Sequence, residues 1–585
     1  MKKKNIINSL YLLYKNIDFK RRFQLLVIII LNIINGIFEF ITLASASLFL
    51  ESLSNPTIVK NKLENIGKLF INFNSNIVSL TTFIFISFII LSTLLRIFNL
   101  WLSMKFRISL LVYIEEKIFK NIIYQELEYH INISSTNIIN DLTKNIDKAN
   151  FFIENLLSLI TAFILSISLV IGLLNLSYLI TILSVFSLSI LYILIGIATN
   201  QKIKFYGKHE IRSSKDFLQV IQESLGSIKD IILSRKHNFF LKRYKDASYL
   251  SRKYQGLSGY ITTFPRYLFE GIGLVVLGLS GYIVFSLRGS EIIPLLGTFA
   301  LGSQKLLPSM QTIYRSWQLL YFYDEGLNRT LDLMKLSTLN NDADNNSISF
   351  KNEIQIKNLS FRYSNSDSYA LKNINILIKK GEHIGIMGIT GSGKTTFINI
   401  LMGLLKPTNG EVLIDGVNLF EKKNINSLYA WRKKINHIPQ KVFLINSNLV
   451  NNIALGIPEN QIDMNKVKFS IKKACLEELI KNRNGNYFLP VGEDGIKLSG
   501  GQKQRIGIAR AIYNNLEILV LDESTNALDK NTEKEIINNI YNLPDKKTTI
   551  AISHSKESLS ACDRIIEFKQ GKIYKVTHKN EYNTK

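Results

Sequence analysis

Six long apolar stretches lie within the first 330 residues of this 585-residue chain. Each is at least about 20 residues long, which is enough for a helix to cross a hydrocarbon core roughly 30 Å thick. Every backbone N–H and C=O must be satisfied internally in lipid, so the sequence predicts six transmembrane helices. They cover residues 23–50, 77–104, 151–176, 178–199, 261–287 and 292–321.

The charge distribution supports a membrane location. The formal net charge is +25, but Lys and Arg are spread between the apolar runs instead of lying in one stripe. A nucleic-acid-binding protein gathers its basic residues on one face, so no nucleic-acid partner is expected. Contact of cytoplasmic loops with anionic membrane lipids explains the charge better. Two cysteines, Cys475 and Cys562, predict reduced thiols and no disulfide framework.

The loops predict the orientation. Lys and Arg are concentrated before the first span and within residues 200–258, whereas the turn at residues 176–177 carries no charge. Basic loops remain in the cytoplasm, so both termini are expected there. Residues 105–150 and 200–258 have amphipathic helical spacing, which predicts helices that continue beyond the membrane. Residues 51–76 predict a short helix, either on the outer leaflet or packed against the spans.

Beyond residue 330 the composition changes. A polar stretch at residues 337–346 predicts a linker, residues 331–347, between a membrane domain, residues 1–330, and a second domain, residues 348–585. Short β-type runs alternate with helical patterns in the second domain. The expected fold is an all-α six-helix transmembrane domain fused to an α/β domain with a mainly parallel core sheet. The β-type runs include residues 353–356, 382–387, 517–521 and 548–552.

A glycine-rich loop, Gly-Ile-Thr-Gly-Ser-Gly-Lys-Thr-Thr at residues 388–396, joins a β-type run to a helical one. This Walker A pattern wraps the β- and γ-phosphates of ATP with backbone N–H groups. Lys394 neutralises the phosphates and Thr395 offers a hydroxyl to Mg²⁺. A chance glycine-rich turn is the alternative. The predicted ATP-binding residues here are Gly388, Gly391, Ser392, Gly393, Lys394, Thr395 and Thr396.

Two acidic residues end the apolar run at residues 518–521. Asp522 is predicted to hold Mg²⁺ directly or through water, and Glu523 to be the general base for the attacking water. His554, after the run at residues 548–552, is predicted to contact the γ-phosphate. The alternatives are two solvated acids and an ordinary histidine at strand ends.

These motifs resemble those of the ATP-binding cassette (ABC) transporter family, and the resemblance covers essentially the whole chain. It implies that Tyr363 stacks on adenine and that Gln440 takes part in catalysis and Mg²⁺ binding. The sequence departs from the family pattern at Asn526 and Ser555, where Ser and Arg are usual, and hydrolysis is expected to survive both changes. The family signature is Leu-Ser-Gly-Gly-Gln at residues 498–502, whose Ser499, Gly500, Gly501 and Gln502 are implied to bind the ATP held by a second subunit.

One chain carries one phosphate loop, one signature and one general base, so a homodimer with twelve spans is expected. The signature opens a predicted helix, whose N-terminal N–H groups and dipole favour an anion. Six spans ahead of the cassette resemble the exporter architecture, which implies alternating access driven by ATP. Segments around residues 130–135 and 224–233 resemble coupling helices, with solvated turns as the alternative.

Four basic residues near the spans are the candidate substrate-binding residues, because ionisable groups at membrane depth are costly to keep. A ring of cations near the inner interface suits an anionic head group such as a pyrophosphate. Snorkelling of cytoplasmic cations, and pairing of Arg266 with Glu270 on one helix, are the alternatives. The four residues are Arg96, Arg266, Lys305 and Arg315.

Residues 264–273 and 307–309 resemble the bacterial flippases for lipid-linked oligosaccharides often called PglK. The resemblance implies a protein of the bacterial inner membrane that moves an undecaprenyl-pyrophosphate-linked glycan from the cytoplasmic to the periplasmic leaflet. Export of peptides or amphipathic drugs is the alternative within transport. A membrane-tethered ATPase, or an ATP-gated channel that transports nothing, is the alternative of another class.

The Glu523→Gln variant tests the homodimer. Without the general base, ATP is expected to stay bound between two cassettes and to hold them together. Detergent-purified variant at saturating ATP and Mg²⁺ should therefore be dimeric by size-exclusion chromatography with light scattering. A monomer under these conditions would contradict the homodimer.

Overall fold

The computed structural model describes residues 6–57, 59, 77–176, 178–288, 293–337, 348–421, 425–524, 527–543 and 546–581. The chain forms two compact units. The first, the membrane unit, contains Met1–Gln125 and Ile133–Thr338, and the second, the nucleotide unit, contains Glu126–Asn132 and Leu339–Lys585. Residues 60–76 of the predicted external segment and residues 338–347 of the predicted linker lie outside the described residues.

The membrane unit is built of helices. Four of them are longer than the hydrocarbon core requires, since 42 to 52 residues at about 1.5 Å each give roughly 60–80 Å. The continuation of these helices beyond the membrane stays a prediction, and their lengths leave room for it. The helices are α1 (Ile6–Asn16), α2 (Phe19–Ser54), α3 (Ile77–Ile123), α5 (Ser135–Asn140), α6 (Ile146–Leu176), α7 (Tyr178–Gly226), α8 (Ile228–Ser234), α9 (His237–Arg288) and α10 (Ile293–Met334).

Three helices of the described chain are long and apolar enough to cross a membrane by length and composition. They are Phe19–Ser54, Ile77–Ile123 and Ser135–Asn175, and the last includes α5, a π-helical turn at Asp141–Asn145 and α6. These helices contain the first three predicted spans. The other three predicted spans lie within α7, α9 and α10.

Small residues allow close approach between these helices. A Cβ atom on Gly207 of α7 would lie 2.2 Å from the carbonyl oxygen of Phe322 on α10. One on Gly302 of α10 would lie 2.6 Å from Leu173 of α6. Helices in lipid gain little from hydrophobic association and depend on such van der Waals contact. The backbone approach at Gly207 therefore has no room for a side chain.

Buried polar contacts hold the ends of the helices in register. Ser9 on α1 donates to Asp324 Oδ1 on α10 at 2.6 Å, and both residues are buried. The carboxylate of Asp141, in the π-helical turn, accepts from Arg329 Nη2 at 2.8 Å. A buried carboxylate is tolerated when it is paired and hydrogen-bonded, so each contact fixes where α10 meets its neighbour.

A short helix, α4 (Leu127–Asn132), belongs to the nucleotide unit. Asn132 Nδ2 donates to Ser364 Oγ at 3.2 Å, and Asn365 Nδ2 donates to Asn132 Oδ1 at 2.9 Å. Leu127 packs against the core of that unit. The predicted coupling segment around residues 130–135 thus begins in a helix that contacts the cassette. The second such segment, residues 224–233, covers the end of α7 and most of α8.

Two sheets form the nucleotide unit. A four-stranded antiparallel sheet has the order β2-β1-β4-β5, and a six-stranded sheet has the order β10-β9-β3-β8-β7-β6. In the second sheet β9, β3, β8, β7 and β6 are parallel, which confirms the predicted parallel core, and β10 is antiparallel. The strands are β1 (Glu353–Phe361), β2 (Leu371–Lys379), β3 (His383–Gly388), β4 (Asn409–Ile414), β5 (Val417–Asn418), β6 (Ile435–Ile438), β7 (Ile518–Asp522), β8 (Thr548–Ile552), β9 (Arg564–Lys569) and β10 (Lys572–His578).

The central strands β7 and β8 are buried almost throughout, which is typical of a parallel sheet covered on both faces. Strand β8 is buried at every position, and Trp431 is fully buried with its Nε1 donating to Leu401 O at 2.8 Å. The α/β fold class is thereby confirmed. The helices are α11 (Lys394–Leu401), α12 (Ile425–Arg432), α13 (Leu449–Ile453), α14 (Met464–Lys473), α15 (Glu477–Lys481), α16 (Gly500–Asn514) and α17 (Lys530–Tyr541).

The Gly207→Ala variant tests the packing of α7 on α10. The added methyl group collides with a backbone carbonyl that cannot rotate away, and overpacking of this kind costs about 1–3 kcal/mol. A clear fall in the melting temperature of the detergent-purified chain is expected. Gly256→Ala in α9 is the matched control, because its Cβ meets nothing within 4 Å and alanine favours helix. Equal melting of the two variants would contradict the close approach.

Candidate functional site

The phosphate loop lies between β3 and α11. Gly388, Gly391 and Gly393 have φ values of 153°, 81° and 103°, which L side chains rarely adopt. A Cβ on Gly388 would also lie 2.4 Å from Phe568 O and 2.7 Å from Ser392 Oγ. At Gly388, both the backbone angle and the lack of space for a side chain therefore require glycine. The loop leaves the first N–H groups of α11 facing a phosphate position.

Lys394 is the first residue of α11 and is buried. Its Nζ donates to Gly388 O at 2.7 Å and to Ile389 O at 3.2 Å, so the ammonium group lies against its own loop. Burial lowers the pKa of Lys394, and the neighbouring Glu523 and Asp522 raise it. An incoming phosphate would replace carbonyl oxygens with a stronger, anionic acceptor.

Two oxygen donors suited to Mg²⁺ lie in this region. Thr395 is exposed in the first turn of α11, and Asp522 is the last residue of β7. Burial raises the pKa of Asp522, the adjacent Glu523 raises it further, and Lys394 opposes both effects. A cation in this position would remove the penalty on the buried carboxylate, so these residues fit the ion.

Glu523 is held between two partners. Its Oε2 accepts from Gln440 Nε2 at 2.7 Å, and its Oε1 lies 2.8 Å from His554 Nε2. The Glu523 side chain is 13% exposed, whereas the His554 side chain is 45% exposed. The three predicted catalytic residues therefore form one cluster. Its exposed side is where water and a γ-phosphate could reach the carboxylate.

The backbone of Glu523 is strained. Its φ is 48°, in the left-handed region that a residue with a Cβ avoids. The N–H of Glu523 donates to Ile552 O at 3.1 Å, which continues the pairing of β7 with β8 for one residue beyond the strand. This conformation directs the carboxylate sideways to Gln440 and His554. Strain of this kind is typical of functional positions.

Tyr363 lies beside the phosphate-binding helix. Its hydroxyl is 3.0 Å from Thr396 Oγ1, and its ring packs edge-on against Phe361 with centroids 4.8 Å apart. Tyr363 is partly buried, so part of the ring is accessible. The predicted adenine-stacking residue is therefore within reach of the same loop.

The signature forms the N-terminus of α16. Ser499 Oγ accepts from the Gln502 N–H at 3.2 Å, and Gln502 Oε1 accepts from the Ser499 N–H at 2.9 Å, which is a capping box. A Cβ on Gly501 would lie 2.9 Å from Ala527 O, while Gly500 is exposed. The helix start is therefore rigid, and its exposed N–H groups favour an anion.

Of the two departures from the family pattern, Asn526 lies outside the described residues. Its neighbour Ala527 donates its N–H to Gln504 Oε1 at 3.0 Å, which ties this loop to the signature helix. The N–H of Ser555 donates to Ser553 Oγ at 3.1 Å. Gln504 had no motif to mark it, because its role depends on a contact across 23 residues.

The membrane unit divides the four candidate substrate residues. Arg96 on α3 and Lys305 on α10 both pair with Glu39 on α2: Arg96 Nη2 with Oε1, and Lys305 Nζ with Oε2 at 2.8 Å. The Glu39 side chain is 1% exposed, whereas those of Arg96 and Lys305 are 43% and 36% exposed. Glu39 lies within the first predicted span, residues 23–50.

Arg96 and Lys305 face a cavity of about 560 Å³ inside the membrane unit. One wall is polar and includes Asn32 and Asn99, whose side chains are joined by a 2.8 Å hydrogen bond from Asn99 Nδ2 to Asn32 Oδ1. The lining also includes apolar side chains such as Leu157 and Leu165. Such a cavity combines hydrophobic surface with a few polar groups, as small-molecule sites do.

The other two candidates lie elsewhere. Arg266 pairs with Glu270 at 2.9 Å, which is the internal pairing that the sequence left open. Arg315 lines a second cavity of about 440 Å³, together with Lys148 and Glu210. Within the described residues of one chain, the four cations therefore do not form a single ring.

Family models match both parts of the chain. The model for the ABC transporter matches residues 371–526, and the model for the ABC transporter transmembrane region matches residues 22–300. This chain belongs to the ABC transporter family. The match to both models confirms the family predicted from the cassette motifs and the apolar spans.

Solved and curated relatives agree with the family. This ABC transporter has the fold of a bacterial Atm1-family ABC exporter with ATP bound, with a TM-score of 0.76, 19% identity and 96% of each chain covered. It is 34% identical over 231 residues to an ATP-dependent lipid A-core flippase of Ralstonia nicotianae, covering 39% of this chain and 38% of the flippase.

Two protein exporters are similarly related to this ABC transporter. The alpha-hemolysin translocation ATP-binding protein HlyB of Escherichia coli is 39% identical over 221 residues, 38% of this chain and 30% of HlyB. The leukotoxin export ATP-binding protein LtxB of Aggregatibacter actinomycetemcomitans is 34% identical over 304 residues, 52% of this chain and 42% of LtxB. The matched stretches span less than half the length of these relatives.

The raised pKa of Asp522 predicts a pH-dependent gain in stability for Asp522→Asn. The ordinary pKa of an aspartate carboxyl group is 3.8. The stabilisation that the protonated carboxyl group gives the folded state is therefore complete below that pH and is lost as the pH rises through the higher pKa of the folded state. At pH 7.5, without nucleotide, the variant should melt roughly 1–2 °C higher, a small gain because the carboxylate is only partly buried.

The gain from Asp522→Asn should disappear as the pH falls toward the ordinary value of 3.8, where the carboxyl group is protonated in both states. Melting of the purified chain is measured from pH 4 to 8 without nucleotide. Glu411→Gln, an exposed position on β4, is the control and should leave the profile unchanged. A variant that melts lower than the native chain at pH 7.5 would contradict the burial penalty.

Proposed function

We propose that this ABC transporter is an ATP-driven homodimeric exporter that flips an anionic lipid-linked glycan across the bacterial inner membrane. The observation that carries the cargo proposal is the cavity in which Arg96 and Lys305 expose their charges among membrane helices. Cations at membrane depth are expensive and are retained where a function requires them. A lipid with an anionic head group matches a cavity that is both basic and apolar.

The ATP chemistry follows from the cluster around Glu523. The phosphate loop and Lys394 bind the β- and γ-phosphates, and Mg²⁺, held by Thr395, Asp522 and Gln440, would neutralise phosphate charge when bound. Glu523 accepts a proton from the attacking water, and Gln440 and His554 orient its carboxylate. Gln440 is released to reach the nucleotide when ATP enters.

A second copy of the chain completes the site. Gly500 is exposed at the N-terminus of α16, where the first N–H groups of a helix lack intrahelical partners, and this position suits the γ-phosphate of ATP bound to the partner. The capping box keeps this terminus rigid before ATP binds, so binding costs little conformational entropy. Two identical chains then bury two ATP molecules, and closure of the cassettes drives the membrane helices.

The relatives do not decide the cargo. A lipid A-core flippase and two toxin exporters match the chain at similar identity, from 34% to 39%. The lipid choice depends on the cavity and on the resemblance to the PglK-type flippases, whose cargo is an undecaprenyl-pyrophosphate-linked oligosaccharide. Export of a peptide is the second candidate, favoured by the HlyB and LtxB matches.

Reconstitution in liposomes tests the proposal. ATP is expected to move a fluorescent undecaprenyl-pyrophosphate glycan between leaflets, and Glu523→Gln should abolish the transfer. Arg96→Gln should lower transfer at least tenfold while changing ATPase without lipid less than twofold, because the cation lies in the membrane cavity. Arg266→Gln serves as a comparison, since this residue is paired outside that cavity and should reduce transfer less.

A different result separates the candidates. Efflux of labelled peptide with no transfer of the lipid-linked glycan would favour peptide export and contradict the flippase. ATP hydrolysis without any transport would favour the tethered ATPase. Full transfer by Arg96→Gln would contradict the assignment of cargo to the cavity.

A further inference from the structure

One carboxylate compensates both cations of the membrane cavity. Glu39 on α2 presents Oε1 to Arg96 on α3 and Oε2 to Lys305 on α10, with the second pair at 2.8 Å. The carboxylate is 1% exposed, so it cannot turn to water when a cation leaves. An uncompensated buried carboxylate is costly, and Glu39 therefore remains bound to at least one of the two cations.

The cations are less buried than the anion between them. Their side chains are 43% and 36% exposed, and both line the cavity of about 560 Å³. Guanidinium has five N–H donors and ammonium has three, more than the contacts to Glu39 use. Free donors therefore face the cavity while the carboxylate lies behind them. Two cations and one anion leave a formal charge of +1.

The arrangement of two cations around one buried carboxylate discriminates between ligands that carry different numbers of negative charges. A head group with a single negative charge is attracted by both cations and repelled by Glu39, which already satisfies them. A head group with two or more negative charges can draw both cations toward the cavity against the same carboxylate. Membranes contain abundant singly charged phospholipids, so a site with two free cations would be filled by the wrong lipid.

We propose that Glu39 is the resident counter-ion of this cavity and makes it selective for diphosphate over singly charged lipid head groups. The inference rests on the proposed lipid-linked cargo. Glu39 acts through Arg96 and Lys305 and is a positioning residue, since the cations touch the ligand. Specificity arises from repulsion of the competitor as much as from attraction of the cargo.

A purely structural role for the triad predicts something different. Charged groups in membrane helices often pair only to reduce the cost of insertion. Removal of Glu39 would then change stability and leave the ratio of affinities for two ligands untouched. That ratio is therefore the measurement that separates the two roles.

Binding of farnesyl diphosphate and of farnesyl methyl phosphate, a phosphodiester with a single negative charge, to the full chain in nanodiscs of neutral phosphatidylcholine tests the proposal, by isothermal titration calorimetry without ATP. The native chain is expected to bind the diphosphate at least tenfold more tightly. Glu39→Gln should lower this preference at least tenfold, chiefly because the singly charged phosphodiester binds better. Arg96→Gln should weaken binding of the diphosphate at least tenfold, which would place the binding site at this cavity.

Two further variants control the experiment. Glu154→Gln removes a carboxylate of the same unit that pairs with Arg107 at 2.6 Å and does not line the cavity, so it should leave the preference unchanged. The double variant Glu39→Gln/Lys305→Gln keeps a formal charge of +1 and leaves a single cation, which makes it the better folding candidate. It should also lose the preference, whereas selectivity set by net charge would retain it.

Preference for the diphosphate within twofold of the native value in both Glu39 variants would overturn the proposal, as would a native chain without preference. Neither result depends on ATP or transport. Absence of ATP-driven leaflet transfer, with the binding preference intact, would instead refute the proposed flippase and leave the ion triad as a selective binding site.

Discussion

Parallel pairing of β3, β7 and β8 is the constraint on which the nucleotide unit depends. Parallel strands end at the same edge of a sheet, so the residues that follow them meet there although they are distant in sequence. The phosphate loop follows β3, Asp522 and Glu523 end β7, and His554 follows β8. Gln440 follows β6 at the same edge. The cluster of Gln440, Glu523 and His554, the proposed catalytic residues, is thus a consequence of strand order.

The membrane unit follows a different rule. Its helices satisfy their own backbone groups, and glycines such as Gly207 allow them to pack closely. Charged residues then need partners within the unit. Glu39 meets this need for α2, α3 and α10 together, whereas Arg266 and Glu270 meet it within one helix. The two cations that pair with Glu39 line the cavity in which the cargo is proposed to bind.

The two units divide the work of the proposed exporter. The nucleotide unit contains a strained base, a preformed phosphate loop and a rigid signature helix, so binding of ATP needs little local reorganisation. The membrane unit contains a cavity in which Glu39 pairs with both cations and leaves a formal charge of +1. Cargo selection and hydrolysis therefore depend on separate groups of residues. Changes in one group are expected to leave the other chemically intact.

The sequence alone predicted six spans and located the phosphate loop, Asp522, Glu523 and the family, because apolar length and motif spacing are local properties. Other features required the tertiary structure. The partnership of Glu39 with Lys305 joins residues 266 positions apart, and the positive φ of Glu523 depends on pairing of its N–H with Ile552. No local pattern encodes which distant charge a buried carboxylate meets. Helix packing determines these partners, because a carboxylate shielded from water pairs with the cations that the fold brings near it.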